Sequence, residues 1–153
     1  MTRDDRLLIV RKLSEKFAYT SIQMHECIGR KMGLTGTDHK YLGFLIQKGQ
    51  MSAGELSVLT GLTTGAVTGL IDRFEKKKLV KILVDKHDRR KVLIVPNTKK
   101  ITSLFEPMYK DFRHNTEVLF ASFLPSELDT IERYFGKAIE IMTDKIETIA
   151  IKK

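Results

Sequence analysis

The side chains that could carry catalytic or metal chemistry are few in this 153-residue sequence, which holds four histidines and one cysteine. His25 and Cys27 stand two positions apart in a helical segment, where residues at this spacing point in different directions. His39, His87 and His114 fall on separate predicted elements, without the short spacings of metal-binding or nucleophilic motifs. We therefore expect no enzymatic activity, no metal site and no cofactor.

Positive charge is the second chemical feature, and it is concentrated in the middle of the chain. Residues 34–100 hold 13 Lys and Arg against 6 Asp and Glu, whereas residues 1–33 hold 7 against 4 and residues 101–153 hold 7 against 9. A basic block inside a folded domain favours a polyanionic partner, because each phosphate that it neutralises releases condensed counterions. Charge alone leaves a merely solvated basic surface as the alternative.

Four of these 13 basic residues lie between two short β-type runs, Val80–Val84 and Val92–Val95. The segment that joins the runs, residues 85–91, is entirely polar, and this pattern predicts a β-hairpin with a charged tip. Five residues of the tip are candidates for contact with nucleic acid: Lys86, Asp88, Arg89, Arg90 and Lys91.

Two short helices are predicted just before the hairpin. Ser52 and Glu55 form a capping-box pattern, in which the serine accepts a backbone N–H and the glutamate reaches back, and Gly61 ends this first helix. Thr63 can cap the second helix, in which apolar residues recur at helical spacing and predict a buried stripe. The stripe consists of Val67, Leu70, Ile71 and Phe74.

The polar face of the second helix carries the other candidate contacts. Gly65 and Gly69 lower helix stability by roughly 1 kcal/mol each relative to alanine, so they indicate close approach of a partner or, more plainly, a weak surface helix. Helix, turn, helix and hairpin in this order predict a winged helix-turn-helix, whose second helix enters the major groove of DNA. The candidate residues of this helix are Thr63, Thr64, Gly65, Thr68, Gly69, Arg73 and Lys76.

Longer helices are predicted on both sides of this region. Apolar spacing predicts a helix over about residues 4–31, whose length of about 40 Å exceeds the diameter of so small a domain. Thr37 is a possible N-cap for a helix over 38–48, Asn97 can cap the helix after the hairpin, and Pro125 suits the first turn of a last helix. The predicted fold class is therefore mainly α with a small β-hairpin wing.

The helix stretch from Leu62 to Glu75 and the hairpin triplet Asp88-Arg89-Arg90 resemble motifs of the multiple-antibiotic-resistance-regulator (MarR) family of bacterial transcription factors. The triplet is similar to the family's Asp-x-Arg wing signature, and the order of elements is similar over essentially the whole chain. The resemblance implies a sequence-specific repressor that binds a pseudo-palindromic operator in double-stranded DNA as a homodimer.

The resemblance also implies how the chain is divided and where it acts. Residues 1–33 would form an N-terminal dimerisation helix, residues 34–100 the winged helix-turn-helix, and residues 101–153 the C-terminal dimerisation helices. No secretory signal and no membrane-spanning apolar run is apparent, so no membrane partner and a cytoplasmic location are expected.

Family roles can be assigned to individual residues where the motifs match. Arg90 would insert into the minor groove, and Asp88 would hold it by a charge-assisted hydrogen bond. Arg73 and Lys76 would contact phosphates or base edges. For Asp88 and Arg90, the alternative is a solvated surface pair worth at most about 1 kcal/mol.

Two lysines depart from the family pattern, because Lys78 and Lys100 stand where glycine is common. The residue after a helix often takes the left-handed conformation, which glycine adopts most easily. Lys78 therefore predicts a strained or reshaped end of the second helix of the pair.

Regulation of the DNA-binding activity has several possible sources. Many relatives release DNA when a small aromatic or anionic effector binds between the dimer and DNA-binding modules, and four aromatic residues are candidates for such a pocket or for plain core: Phe17, Tyr41, Phe44 and Phe112. Cys27 raises the alternative of a redox-responsive regulator, against a buried structural thiol. A non-specific architectural binder or a protein-interaction module remains a further alternative.

Overall fold

The computed structural model describes residues 1–88 and 90–151, which fall into two compact units divided between Met108 and Tyr109. The division lies inside the helix Thr98–Ala121. The predicted class, mainly α with a small β-hairpin wing, is confirmed. The elements, in chain order, are α1 (Arg3–Lys31), α2 (Gly36–Lys48), β1 (Met51–Ser52), α3 (Ala53–Thr60), α4 (Thr64–Lys76), β2 (Val80–Val84), β3 (Val92–Pro96), α5 (Thr98–Ala121) and α6 (Pro125–Ile151).

Helix α1 is long, as its apolar spacing predicted. It begins at a capping box in which Thr2 and Asp5 exchange hydrogen bonds of 2.8 and 3.1 Å between backbone N–H groups and side-chain oxygens. Along the helix only Ile28 and Gly29 are buried. The first two-thirds of α1 therefore expose large apolar side chains in the single chain, namely Leu7, Leu8, Ile9, Val10, Leu13, Phe17 and Ile22.

Helix α2 begins earlier than the sequence suggested. Thr35, not Thr37, is its N-cap: Thr35 has an extended backbone, and its hydroxyl oxygen accepts the N–H of Asp38 at 3.3 Å. This start brings the carboxylate of Asp38 into the first turn, where it lies near the positive end of the helix dipole. The predicted end of the helix at residue 48 is confirmed, with Gly49 as its C-cap.

The sheet contains three antiparallel strands in the order β1-β3-β2. The hairpin pair β2–β3 was predicted, but β1 was not. Ile94 at the centre of β3 pairs with Ile82 on one side and Met51 on the other. Two residues are too few to show an alternating pattern, so β1 arises from its position beside β3 rather than from its own sequence.

The core of the first unit lies where α2, α3 and α4 meet the sheet and the start of α5. All four predicted stripe residues of α4 belong to it, which anchors that helix by one face. The buried cluster consists of Leu34, Tyr41, Leu42, Leu45, Met51, Leu56, Val67, Leu70, Ile71, Phe74, Leu79, Val80, Ile94 and Ile101.

The second unit contains the rest of α5 and α6. Pro125 opens α6 as predicted, and the backbone N–H of Leu124 donates to the carboxylate of Glu127 at 2.8 Å. Several large apolar side chains of α6 are exposed in the single chain, among them Ile139, Met142, Ile146 and Ile149. Among the described residues, no helix has the length and apolar character needed to cross a membrane.

Candidate nucleic-acid interface

Both ends of α3 are fixed by side-chain hydrogen bonds and by a glycine. Ser52 and Glu55 form the predicted capping box at the start of α3, with bonds of 2.7 and 3.1 Å. Gly61 ends α3 in the left-handed conformation, and the hydroxyl of Ser57 donates to the carbonyl of Leu62 at 2.6 Å. These contacts satisfy backbone groups that two adjacent helix ends would otherwise leave unpaired.

Thr63 caps α4 as predicted, because its hydroxyl oxygen accepts the N–H of Ala66 at 3.3 Å. With one face of α4 in the core, the opposite face lies open. Among the other predicted contact residues on α4, Gly69 is half-buried. The rest are exposed, namely Thr64, Gly65, Thr68, Arg73 and Lys76.

Two details of the open face bear on what could approach it. Among the described residues, no atom beyond the nearby backbone of its own helix lies within 4 Å of the position that a Cβ at Gly65 would occupy, so packing against them does not require glycine there. The hydroxyl of Thr68 donates to the carbonyl of Thr64 at 3.0 Å. Its proton is therefore in use, and its oxygen remains able to accept a hydrogen bond from outside.

Arg73 lies on the same helix but has a partner that the sequence did not reveal. Its Nε and Nη2 donate to the two carboxylate oxygens of Asp38 on α2, at 2.9 and 2.8 Å. Burial alone would raise the pKa of Asp38, but hydrogen bonds from Arg73 and Thr35 and the positive charges of Arg73 and Lys77 together outweigh burial and hold that pKa below its usual value. Arg73 is therefore paired in this structure, and its predicted contact with phosphates or base edges stays a prediction.

The hairpin tip, residues 85–91, is shaped by its two aspartates. The carboxylate of Asp85 accepts the N–H groups of His87 and Asp88, at 2.8 and 3.4 Å, and these bonds lower its pKa. Asp88 accepts the backbone N–H of Arg90 at 3.0 Å. The predicted link between Asp88 and Arg90 thus runs in this structure to the backbone of the arginine rather than to its guanidinium.

Three cationic residues lie in the described part of this tip. Lys86, Arg90 and Lys91 are exposed, and the backbone N–H of Lys91 donates to the carbonyl of Asp88 at 2.8 Å. Arg89, also predicted as a contact, lies outside the described residues. The tip can present at least three positive charges to a polyanion.

After α4 the backbone takes the left-handed conformation that glycine usually adopts at a helix end, although the residue there is Lys78. Lys78 has φ 56°, its N–H donates to the carbonyl of Glu75 at 2.8 Å, and the N–H of Leu79 donates to the carbonyl of Phe74 at 2.9 Å. This pair of bonds is the Schellman arrangement. The strained helix end that Lys78 predicted is confirmed. Lys100, the second departure, donates to the carbonyl of Lys77 at 2.7 Å.

The predicted effector residues have different environments. Tyr41 is in the core and Phe44 packs at its edge, with their ring centroids 6.4 Å apart. Phe17 is 66% exposed on α1, and Phe112 is 47% exposed in the second unit. Of the four, the structure brings Tyr41 and Phe44 together.

Three of the residues singled out for their chemistry are placed by the structure. His25 and His39 lie on separate elements, as predicted, and stack at the junction of α1 and α2 with ring centroids 5.5 Å apart. Burial, and the nearby His25, lower the pKa of His39. Cys27 is exposed, so the expectation of a buried thiol is wrong for the single chain.

Comparison with other proteins gives a consistent assignment. Residues 32–91 match the sequence profile of the MarR family. The HTH-type transcriptional regulator YcgE of Bacillus subtilis is 38% identical over 141 residues, which cover 90% of this chain and 89% of that protein.

Solved structures share the fold. A MarR family protein from Bacillus stearothermophilus has a TM-score of 0.72 at 24% identity, covering 94% of this chain and 99% of its own. A mutant of S. aureus MepR bound to an oligodeoxyribonucleotide has a TM-score of 0.59 at 20% identity, covering 87% and 97%. The chain belongs to the MarR family of transcriptional regulators.

Proposed function

We propose that this regulator binds double-stranded DNA sequence-specifically as a homodimer, and acts in the cytoplasm as a repressor. The observation that carries the proposal is the two-faced character of α4: one face is buried in the core, and the other presents small polar residues. A hairpin with a cationic tip follows it directly in the chain. This combination fits a helix in the major groove and a wing on the adjacent backbone.

The open face of α4 suits base edges. With its proton donated to Thr64, the Thr68 hydroxyl acts as an acceptor, and the donors in the major groove are the amino groups of adenine and cytosine. Gly65 leaves room for close approach of the DNA. Thr64 and Lys76 lie on the same open face, where short hydroxyls and a long ammonium suit base edges and phosphates respectively.

The hairpin tip suits the minor groove and its phosphates. Arg90 stands at an exposed turn where its backbone N–H is bonded to Asp88, so little backbone freedom is lost when its side chain enters the groove. Lys86 and Lys91 on either side are available to phosphates, and Arg89 would add a fourth charge. Each phosphate contact would release counterions and make affinity dependent on salt.

Dimerisation is supported by the apolar side chains that the single chain exposes. They cluster on α1 in the first unit and on α6 in the second, and contiguous exposed apolar surface on soluble proteins commonly marks an interface. A two-fold dimer would read two inverted half-sites, about one helical turn apart.

Selection of binding sites from random duplex DNA tests this proposal. We expect enrichment of an inverted repeat whose half-sites are centred about 10 base pairs apart or at a multiple of that spacing. Recovery of unrelated sequences, with no repeat, would contradict sequence-specific binding and favour the architectural alternative. Sedimentation of the free protein at micromolar concentration checks the dimer.

Release by a small aromatic or anionic effector completes the proposal, and it rests on family membership together with the aromatic edge formed by Phe44 beside Tyr41. Oxidation of Cys27 is a second candidate for the release signal, favoured by the exposure of this thiol. Operator affinity before and after peroxide, in wild type and C27S, separates the two. Unchanged affinity in the wild type would eliminate the redox candidate.

A further inference from the structure

The ion pair between Asp38 and Arg73 joins the recognition helix α4 to α2. Both nitrogens of the arginine fork meet both oxygens of the carboxylate, at 2.8 and 2.9 Å. The Asp38 side chain is only 6% exposed, whereas that of Arg73 is 49% exposed. A bidentate pair of this kind is strong and directional, and it is shielded on the carboxylate side.

The ion pair fixes the rotation of α4 about its axis, which the apolar core alone does not. Packing of the buried stripe holds α4 against the core, but hydrophobic attraction has no preferred direction and would tolerate some rotation of the helix. A planar fork bonded to a fixed carboxylate specifies one rotation and one position along the helix axis. Asp38 itself is fixed because its backbone N–H is bonded to the capping hydroxyl of Thr35.

Neighbouring contacts strengthen the same junction. The Nζ of Lys77 donates to the carbonyl of Gly33 at 3.3 Å, in the segment that leads into α2. The Nζ of Lys100 donates to the carbonyl of Lys77 at 2.7 Å. The last turn of α4 is therefore tied to the start of α2 on one side and to α5 on the other.

We infer that Asp38 and Arg73 are positioning residues for DNA recognition: the pair sets the orientation at which α4 presents its open face, and Arg73 does not itself bind DNA. This inference rests on the proposed function. On this inference, specificity depends on a buried acidic residue that cannot approach a phosphate backbone. Arg73 then differs in role from Lys76 and the cations of the hairpin tip, which are proposed to contact DNA directly.

Substitution of Asp38 by asparagine distinguishes positioning from direct contact. If Arg73 bound DNA, D38N would free its guanidinium and remove a negative charge, and both changes would tighten binding. If the pair positions α4, D38N weakens binding to the selected operator by about tenfold or more, a change of about 1.4 kcal/mol. Affinity for scrambled duplex should stay the same or rise slightly, so the specificity ratio falls.

Two variants of Arg73 supply independent readouts. R73K keeps the positive charge but offers a single point of contact, so it should lose operator affinity much as D38N does. R73Q should leave the slope of log affinity against log salt unchanged, whereas loss of a phosphate contact reduces that slope by about 1. E140Q is the matched control for D38N, because it also removes one negative charge from an ion pair, here the exposed pair of Glu140 with Lys137.

The outcomes are separable. Tighter operator binding by D38N, or a smaller salt slope for R73Q, overturns the positioning role while leaving the proposed function intact. A wild-type protein that does not distinguish operator from scrambled duplex overturns the proposed function and this inference with it. Because Arg73 is half-exposed, R73K and R73Q are expected to fold, and far-UV circular dichroism with thermal melting verifies this for each variant.

Discussion

Gly29 on α1 lies directly against His39 on α2, so that a Cβ atom added at Gly29 would stand 2.8 Å from the Cβ of His39. Real Cβ atoms do not approach so closely, and both residues are buried. The stack of His25 on His39 and the contact between His39 and Phe105, with ring centroids 5.1 Å apart, form around this point. The crossing of α1 and α2 therefore requires glycine.

Alanine at position 29 should destabilise the protein. Overpacking of a closely packed site costs about 1–3 kcal/mol, which exceeds the gain in helix propensity of up to about 1 kcal/mol. Chemical denaturation measures the effect. G43A is the matched control, since Gly43 is also helical but exposed, and no described residue outside its own helix backbone comes within 4 Å of an added Cβ; this substitution should stabilise the protein. Equal effects of the two substitutions would contradict the close contact.

Glycine at position 78 should stabilise the protein. Lys78 occupies the left-handed conformation at φ 56°, which costs a residue with a side chain about 1–2 kcal/mol. After subtraction of the greater backbone entropy of unfolded glycine, K78G should raise the unfolding free energy by about 1 kcal/mol. K76G, at the last residue of α4, should lower it by up to about 1 kcal/mol. A destabilising K78G would show that the lysine side chain makes a contribution larger than the strain.

Acid should weaken the junction between α2 and α4. The folded-state pKa of Asp38 is below its ordinary value, so its contribution to stability is fully present above the unfolded pKa of about 3.9 and is lost as pH falls through the folded value. As the pH falls from about 5 towards about 2, the unfolding free energy of the wild type should therefore decrease more than that of D38N. The comparison is made at pH values where both proteins are folded. Parallel pH profiles of the two proteins would contradict the ionised pair.

Alanine at position 65 should separate stability from binding. Gly65 is exposed, and none of the described residues opposes a methyl group there, so G65A should stabilise α4 by roughly 1 kcal/mol. If DNA approaches the helix at this point, the same substitution should weaken operator binding. Thermal melting and operator affinity are measured on one preparation. A variant that is more stable and binds normally would show that the glycine serves no close approach.

Alanine at position 90 should weaken DNA binding strongly while leaving melting and dimerisation unchanged. The side chain of Arg90 is exposed on the hairpin tip, whereas its backbone N–H is held by Asp88 and is retained in the variant. The salt slope should also fall by about 1 if a phosphate contact is lost. R133A, an exposed arginine on α6, is the control for loss of charge. Normal binding by R90A would contradict the role given to the wing.

Features encoded within a few residues could be predicted from the sequence. The Ser52–Glu55 box and the Thr63 cap are local hydrogen-bond patterns, and the α4 stripe is a repeat within one helix. The hairpin strands were predicted because each is an apolar run bounded by polar residues. Lys78 was recognised as unusual because the family commonly has glycine there, and its positive φ is the physical counterpart of that difference.

Features that depend on pairs distant in sequence could not be predicted. Asp38 and Arg73 are 35 residues apart, and nothing local to either residue indicates the other. The two-residue strand β1 is defined by pairing with β3, about 40 residues later. The stacking of His25 on His39 likewise depends on the crossing of α1 and α2. In each case tertiary packing, rather than local propensity, determines the structure.

The proposed function requires that α4 and the hairpin tip bind one DNA sequence in preference to others. The most direct measurement is the ratio of the dissociation constants for scrambled duplex and for the selected operator, determined at one stated salt concentration near physiological. The structure leads us to expect a ratio of about 10³ or more. Comparable affinity for the two duplexes would contradict the claim.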